Sequence, residues 1–210
     1  MTLKKHISTL ALVSILGLTL ASPGFSQTTT DADSDGVPDA SEVLLGTDPM
    51  VADTDGDGPS DLADADPAFM ANPIDMAGAP ATFAIKEALV ENNYDYGAKK
   101  NATDHLELLV TNSGSAPLTG FSIYYSITDA NTGKVEGTFR KLDGFSVPAG
   151  GEARIHFDDG AVAGHFRASP NSIYITSQAA KTITFVLKAD GFAPVSIDVA
   201  KDKGGAVAAD

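Results

Sequence analysis

The sequence predicts a mainly β protein, in which an antiparallel β-sandwich follows a small acidic loop module. Three observations support this fold class. Apolar and polar residues alternate from about residue 82 onward, clusters of turn-forming residues separate these segments, and one short stretch near the N-terminus carries most of the negative charge. Successive side chains of a β-strand point to opposite faces of the sheet, so segments of period two predict half-buried strands.

The N-terminal segment predicts export. Two lysines are followed by an apolar run at residues 7–21 and then by small residues, which is the pattern of a secretory signal peptide. The run is shorter than the roughly 20 apolar residues that a membrane-spanning helix needs. We therefore predict a signal peptide at residues 1–26, with cleavage after Ala21 or Ser26, and no membrane span after its removal. The expected location is secreted or cell-surface, with the periplasm as the alternative.

Cysteine and charge exclude several classes of protein. The chain contains no cysteine, so disulfide bonds, a lipid anchor on cysteine and thiol chemistry are excluded. Residues 27–78 hold 13 acidic residues and no lysine or arginine, whereas residues 79–210 hold 15 acidic and 12 basic residues. This distribution argues against nucleic-acid binding, which needs a basic face. Stability must come from a packed core, a bound metal or both.

The acidic stretch begins with DADSDGVPDASE, residues 31–42, whose acids have the spacing of an EF-hand-like calcium loop. Acids stand at places 1, 3, 5, 9 and 12 of this loop, and a glycine stands at place 6, as in the pattern D-x-[DN]-x-[DN]-G-x5-E. Calcium takes six to eight oxygen ligands, and the glycine allows the tight turn that gathers them. The predicted ligands are the side chains of Asp31, Asp33, Asp35, Asp39 and Glu42 and the backbone carbonyl of Val37.

The same spacing recurs in DTDGDGPSDLAD, residues 53–64, which starts 22 residues after the first loop. A run of charged residues is usually a solvated segment. Solvation alone does not require acids to recur at the same loop places, so the repeat favours a ligand set. The closing residue is an aspartate, which is shorter than the glutamate of the first loop. The predicted ligands are the side chains of Asp53, Asp55, Asp57, Asp61 and Asp64 and the backbone carbonyl of Pro59. The predicted cofactor is Ca²⁺, at about two ions per chain.

A short connector joins the loops. Residues 41–45 predict one or two helical turns, which Gly46 would end. With this connector, residues 31–67 resemble the bacterial thrombospondin type 3 repeats, in which loops of the form D-x-D-x-D-G-x-x-D-x-x-[DE] alternate with an E-x-x-x-G-T-D-P-type segment. The resemblance implies a core-poor module, placed here at residues 27–69, that calcium orders. By this resemblance, the ten acids named above occupy the ligand places of the family. Asp48 and Asp66 are candidates for further contacts with the metal.

This sequence departs from the family pattern in two respects. An aliphatic residue is more usual at place 7, where the second loop has Pro59, and the number of loops is small. The carbonyl at place 7 is available in either case, since proline lacks only the backbone N–H.

The larger part of the chain predicts the sandwich. Residues 70–81, rich in proline, alanine and glycine, are predicted to be a linker. Candidate strands then follow at ATFAIKEALV, HLELLVTN, FSIYYSIT, KVEGTFRKL, EARIHF, NSIYIT, TITFVLK and VSIDV, and a helical turn is expected within GAVAGHFRASP. Many short strands with turns every 8–12 residues predict an antiparallel β-sandwich, here over residues 82–200. Residues 201–210 are predicted to be a disordered tail.

Two of these segments also resemble a known class of module. LELLVTNSGSAPLTGFSIYYSITD and the hairpin PAGGEARIHF are similar to the immunoglobulin-like or fibronectin-like modules of bacterial secreted proteins. The resemblance is generic and implies a fold only, because function resides in particular residues rather than in the fold.

The sequence contains no catalytic motif. A G-x-S-x-G elbow, an H-E-x-x-H pair and a phosphate loop are absent, and His105, His156 and His165 lie apart in the sequence. We therefore expect a secreted noncatalytic calcium-binding protein that acts in extracellular or cell-surface interaction: adhesion, or matrix or filament assembly, including self-association. The alternative is a calcium-assisted carbohydrate-binding accessory protein, for which Tyr94, Tyr96 and Tyr124 are candidate stacking residues. The partner, protein or glycan, is left open by the sequence.

Overall fold

The computed structural model describes residues 30–90, 106–158 and 160–203, together with the backbone of residues 94–95 and 100–101. The predicted signal peptide, most of the predicted tail, Tyr96, His105 and the side chain of Tyr94 lie outside these residues.

The described chain is mainly β. Its elements, in chain order, are α1 (Asp39–Leu45), β1 (Phe83–Val90), β2 (Tyr94–Asp95), β3 (Lys100–Asn101), β4 (Leu106–Asn112), β5 (Ser122–Asp129), β6 (Val135–Lys141), β7 (Glu152–Asp158), β8 (His165–Arg167), α2 (Ile173–Thr176), β9 (Lys181–Lys188) and β10 (Val195–Lys201). The first sheet has the order β1–β4–β7–β8 and the second has the order β10–β9–β5–β6. The predicted mainly β fold is confirmed, and two four-stranded sheets are consistent with a β-sandwich.

The core lies between the two sheets and follows the predicted alternation. In β5, Ile123, Tyr125 and Ile127 are buried in the same apolar cluster as Leu108 of β4 and Phe185 of β9. Burial of a large apolar side chain contributes about 1.5–3 kcal/mol. This cluster therefore supplies the stability that the chain, lacking cysteine, cannot obtain from disulfides.

Two local predictions in the second half of the chain are wrong. NSIYIT forms the helical turn α2 rather than a strand, because the Ser172 side chain accepts from the N–H of Tyr174 and the Glu136 carboxylate accepts from the N–H of Ile173. The helical turn expected in GAVAGHFRASP is replaced by β8. β8 pairs with β7 in parallel, so the first sheet is not antiparallel throughout.

Strand β6 is an edge of the second sheet, and the acidic module covers it. The N–H of Gly137 donates to the carbonyl of Ala68 (3.1 Å), and the N–H of Phe139 donates to the carbonyl of Asp55 (2.8 Å). The N–H of Met70 in turn donates to the carbonyl of Gly137 (3.0 Å). An uncovered edge presents such groups to other chains. The module therefore shields the sheet from edge-to-edge pairing.

Two glycines permit this close approach. A Cβ on Gly137 would lie 2.6 Å from the carbonyl oxygen of Met70 and 2.7 Å from the hydroxyl oxygen of Tyr124. A Cβ on Gly56 would collide with the carbonyl oxygen of Phe139. Glycine is suited to positions where another backbone comes this near. The fit of the module on β6 thus depends on one glycine from each partner.

A buried ion pair fixes the connector between the loops to the first sheet. Asp48 is fully buried, and its carboxylate accepts two hydrogen bonds of 2.7 Å from the guanidinium of Arg167 in β8. The side-chain amide of Asn171 also donates to the carbonyl of Thr47 (2.8 Å). A bidentate pair sets orientation as well as position. Asp48, for which the family resemblance allowed a metal contact, is thus engaged by the arginine.

The segment predicted as a linker, residues 70–81, packs along the second sheet. Ile74 is buried against Tyr124 and Val186, and Nζ of Lys188 donates to the carbonyls of residues 75 and 77 (2.7 and 3.0 Å). The segment connects the module to β1, but it is held by the sheet along its length. At the other end of the chain, β10 includes Lys201, the first residue of the predicted tail, which is buried.

We expect Arg167→Ala to destabilise the protein, because it leaves the buried carboxylate of Asp48 without its bidentate partner. Removing one partner of a buried ion pair costs about 3–5 kcal/mol. Lys86→Ala is the matched control, because Lys86 pairs with Glu152 while both side chains are more than half exposed (59% and 53%). Such exposed pairs contribute about 0–1 kcal/mol. Urea unfolding followed by circular dichroism measures both variants, and equal losses would contradict the role of Arg167 as an anchor.

Candidate metal centres

Each acidic loop gathers three carboxylates. Oxygens of Asp31, Asp33 and Asp35 lie within 4.8 Å of one another, and the same holds for Asp53, Asp55 and Asp57. These residues occupy places 1, 3 and 5 of the two predicted loops. Across residues 30–90, 106–158 and 160–203, no other group of three histidine or acidic side chains brings candidate ligand atoms this close.

The two loops have the same left-handed backbone at places 4 and 6, although they share only four aspartates and one glycine. Place 6 has a φ of 99° at Gly36 and 114° at Gly58, a region that glycine adopts readily. Place 4 is also left-handed in both loops, with a φ of 65° at Ser34 and 86° at Gly56. The repeat seen in the sequence is therefore repeated in the backbone at these two places, whereas places 9–12 are helical only in the first loop.

The same side-chain hydrogen bonds hold each loop together. The place-1 carboxylate accepts from the N–H of place 6, at 3.2 Å in the first loop and 3.0 Å in the second. The place-3 carboxylate accepts from the N–H of place 5, at 3.2 and 3.0 Å. The place-9 carboxylates, Asp39 and Asp61, accept from the N–H of place 2, at 2.9 and 2.8 Å. Asp39 and Asp61 thus brace their loops from outside the three-carboxylate groups.

Four carboxylate oxygens of the loops are buried and find no hydrogen-bond partner in the described part of the chain: Asp31 Oδ1, Asp33 Oδ2, Glu42 Oε2 and Asp55 Oδ2. Glu42 is fully buried and Asp55 is 1% exposed. A buried carboxylate without a partner is costly. A cation bound among these oxygens would satisfy several of them at once, so the residues present fit a divalent metal ion with oxygen ligands.

Helix α1 brings Glu42, at place 12, to the first loop. Gly46 ends the helix in a left-handed conformation, with a φ of 86°, which confirms the predicted helix end. The Thr47 hydroxyl donates to Oε1 of Glu42 (3.3 Å). Burial, and then the negative charge of Asp33, raise the pKa of Glu42 to about 7. The closing carboxylate therefore lies within the field of the first carboxylate group.

The second loop is closed by shorter side chains. Burial raises the pKa of Asp55 to about 7, and the charges of Asp57 and Asp64 add to the increase. Asp64, at place 12, is therefore close enough to act on the central carboxylate of its loop.

At place 7, neither the carbonyl of Val37 nor that of Pro59 accepts a hydrogen bond from the described residues, so both carbonyls are available as ligands.

The two loops contact each other. The N–H of Leu62 donates to Oδ2 of Asp35 (3.3 Å), and the Leu62 side chain covers Gly36, where a Cβ would lie 2.7 Å from its Cδ2. Burial, and then the charges of Asp35 and Asp33, raise the pKa of Asp61. Neutralising the first group therefore lowers the cost of holding the ionised carboxylate of Asp61, and the loops are coupled electrostatically.

The structure also brings together side chains that sequence reasoning left apart. Parallel pairing of β7 and β8 stacks the rings of His156 and His165 with centroids 4.3 Å apart. Asp158 pairs with His165, and an oxygen of Glu107 lies 3.2 Å from Nδ1 of His156. These contacts depend on strand register, for which the sequence spacing carries no signal. These histidines and their carboxylate partners lie on β4, β7 and β8 of the first sheet.

One residue of the carbohydrate-binding alternative is unsuited to that role. Tyr124 is only 6% exposed, and its hydroxyl donates to the carbonyl of Met70 (3.1 Å). Residues 70–74 cover it, so it cannot stack on a sugar. The prediction of Tyr124 as a stacking residue is wrong because the segment taken for a free linker lies over it.

Comparisons with known proteins do not define a family. No protein-family model matches the chain, and no curated protein matches it. Among solved structures, one match is the alkylpurine DNA glycosylase AlkC of Pseudomonas fluorescens, bound to DNA containing an abasic site analogue. The TM-score is 0.29 and the sequence identity is 16%, and the match covers 60% of this chain and 31% of the glycosylase chain. Another match is a β-glucosidase involved in saponin metabolism from intestinal bacteria, with a TM-score of 0.27 and 15% sequence identity. This match covers 57% of this chain and 16% of the glucosidase chain.

The chain thus spans less than a third of the length of either protein. At these TM-scores neither likeness supports an argument about fold or function. Among the described residues, no helix has the length and apolar character needed to cross a membrane.

In the presence of a chelator, the folded protein should become more stable as the pH falls from about 8 to 5. The pKa values of Glu42 and Asp55 are raised to about 7 from ordinary values of 4.5 and 3.8. Between these values the folded state binds protons more tightly than the unfolded state, so protonation favours folding. The melting temperature, followed by circular dichroism, should therefore rise towards pH 5.

The control for this measurement is the double variant Glu42→Gln/Asp55→Asn, which lacks both titrating groups and should show a weaker pH dependence. A melting temperature that falls steadily from pH 8 to 5 in the unsubstituted protein, or an equal rise in the double variant, would contradict the assignment.

Proposed function

We propose that the protein binds two calcium ions through its acidic loops and is a noncatalytic interaction protein that acts outside the cytosol. The observation that carries the proposal is the set of buried, unpartnered carboxylate oxygens, found in two loops that share a left-handed backbone at places 4 and 6. Such oxygens are costly in a folded protein unless a cation binds to them.

The donor chemistry favours calcium over other metals. The candidate ligands are all oxygens, because the loops contain neither cysteine nor histidine, and hard oxygen ligands suit calcium and magnesium rather than zinc or copper. Magnesium demands near-ideal octahedral geometry and gives up its water reluctantly. A loop of carboxylates and a backbone carbonyl instead suits the larger and more variable shell of calcium.

In the proposed sites the places of the loop have different tasks. Places 1, 3 and 5 supply the converging carboxylates, place 7 supplies a carbonyl through Val37 or Pro59, and place 12 closes the site through Glu42 or Asp64. Asp39 and Asp61 act at place 9, where a ligand often acts through water. Their hydrogen bonds to the place-2 N–H leave them in this outer position.

Calcium would have a structural task in this protein. Residues 31–66 contain 12 acidic residues and no basic residue, and Val43, Leu44 and Leu45 of α1 are exposed. A segment with high charge and little apolar burial does not fold unaided. Where a binding site does not exist in the unfolded chain, the binding free energy becomes folding free energy. Calcium would therefore order the module that covers β6.

An extracellular setting fits this chemistry. Calcium sites of extracellular modules typically have Kd values of about 10⁻⁴–10⁻³ M, so such sites would fill where calcium is abundant. The N-terminal residues have the pattern of a secretory signal peptide. The thrombospondin type 3-like loops and the immunoglobulin-like resemblance of the sandwich point in the same direction. Adhesion or assembly in the extracellular space is the proposed role.

Calorimetry and native mass spectrometry should find two calcium ions per chain. Asp31→Asn and Asp53→Asn should each abolish one site, since each removes a charged place-1 ligand. Asp143→Asn is the matched control, because it makes the same change at an exposed aspartate outside the loops and should leave two sites. No binding at millimolar calcium, or equal stoichiometry in all three variants, would contradict the proposed function.

A further inference from the structure

We propose that the acidic module is a calcium-controlled cover over an interaction surface, and that this surface pairs with a second copy of the chain when calcium is removed. The inference rests on the proposed calcium binding. The surface, called here the β6 surface, consists of the outer edge of β6 at Gly137 and Phe139, which the module covers, and the adjoining apolar side chains of Tyr124 and Val186.

One residue joins the metal site to the cover. The carboxylate of Asp55 belongs to the second three-carboxylate group, while its backbone carbonyl accepts from the N–H of Phe139 (2.8 Å). The next residue, Gly56, lies directly against the carbonyl of Phe139. A change in the conformation of this loop therefore moves the groups that cover the edge of β6.

Loss of the cover would expose both polar and apolar groups. The N–H groups of Gly137 and Phe139 would lose their acceptors, Asp55 and Ala68. Tyr124 and Val186, now 6% and 8% exposed, are covered from outside the sheet by residues 70–74. An edge strand with unpaired N–H groups beside an apolar patch is a template for pairing with another chain.

A second copy of the chain is the partner that this surface fits. The segment that now covers it, residues 68–70, pairs with Gly137 through two backbone hydrogen bonds of 3.1 and 3.0 Å. The same segment of another copy reproduces these contacts without a new interface, which makes exchange of identical elements a low-cost route to dimers. Residues 71–78 join this segment to the sandwich; only Ile74 among them is buried, and the exchange requires Ile74 to leave Tyr124 and Val186.

Charge complementarity favours the same partner. Arg140 and Lys141 flank the β6 surface, whereas Lys134 is already paired with Glu136 (3.3 Å). Without calcium, residues 31–66 of a second copy present 12 acidic residues and no base, and of these acids Asp48 is paired with Arg167. Attraction between opposite charges steers such an encounter and sets its orientation.

Size-exclusion chromatography with light scattering tests the proposal on the whole protein over a wide range of concentrations. In millimolar calcium the mass should be that of a monomer, and in chelator it should double as the concentration rises. Phe139→Lys, which places a charge in the β6 surface, should abolish the doubling. Val162→Lys adds the same charge at an apolar residue that is 59% exposed and lies outside this surface, and it should dimerise like the unsubstituted protein.

Calorimetry on the same samples tests calcium binding separately from calcium-controlled dimerisation. A protein that binds two calcium ions but stays monomeric in chelator overturns the calcium-controlled surface and leaves the proposed function standing. Dimers in chelator that persist in Phe139→Lys overturn the assignment to β6. Absence of calcium binding overturns both. Should Phe139→Lys fail to fold in calcium, Phe139→Thr replaces it, and it should weaken dimerisation at least tenfold.

Discussion

Repulsion among the carboxylates of residues 31–66 is the constraint on which the rest of the structure depends. Two groups of three aspartates are held within 4.8 Å, and the closing glutamate of the first loop is fully buried. Charges at such distances repel strongly when they are removed from water. In the proposed account, calcium neutralises those charges and thereby keeps the module in place over β6. The charge state of the loops and the protection of the β6 edge are therefore linked.

The module is attached to the sandwich at two places. Backbone hydrogen bonds join it to β6 of the second sheet, and the Asp48–Arg167 pair joins its connector to β8 of the first sheet. Contact with both sheets restrains rotation as well as translation. Docking of this kind also explains why residues 70–81 are held against the sheet. The module and the sandwich form one structural unit, in which order in the loops supports the edge of the sheet.

Sequence reasoning succeeded where the determining interactions are local or periodic. The alternation in FSIYYSIT places Ile123 and Tyr125 in the core, and the spacing of the acids predicts the three-carboxylate groups of both loops. It failed where distant contacts decide. NSIYIT has strand-forming residues, but a serine cap and the Glu136 carboxylate turn it into α2. No local pattern shows that Asp48 meets Arg167, that residues 70–74 cover Tyr124, or that β7 and β8 run parallel.

The most direct test of the account is amide hydrogen exchange at Gly137 and Phe139, measured at low protein concentration with calcium and with chelator. These two N–H groups donate to the acidic module, whereas the fully buried Phe185 of the central strand β9 reports on the sandwich itself. The chelator should greatly accelerate exchange at Gly137 and Phe139 while Phe185 stays protected. Unchanged protection of Gly137 and Phe139 after calcium removal would contradict the claim that calcium holds the cover in place.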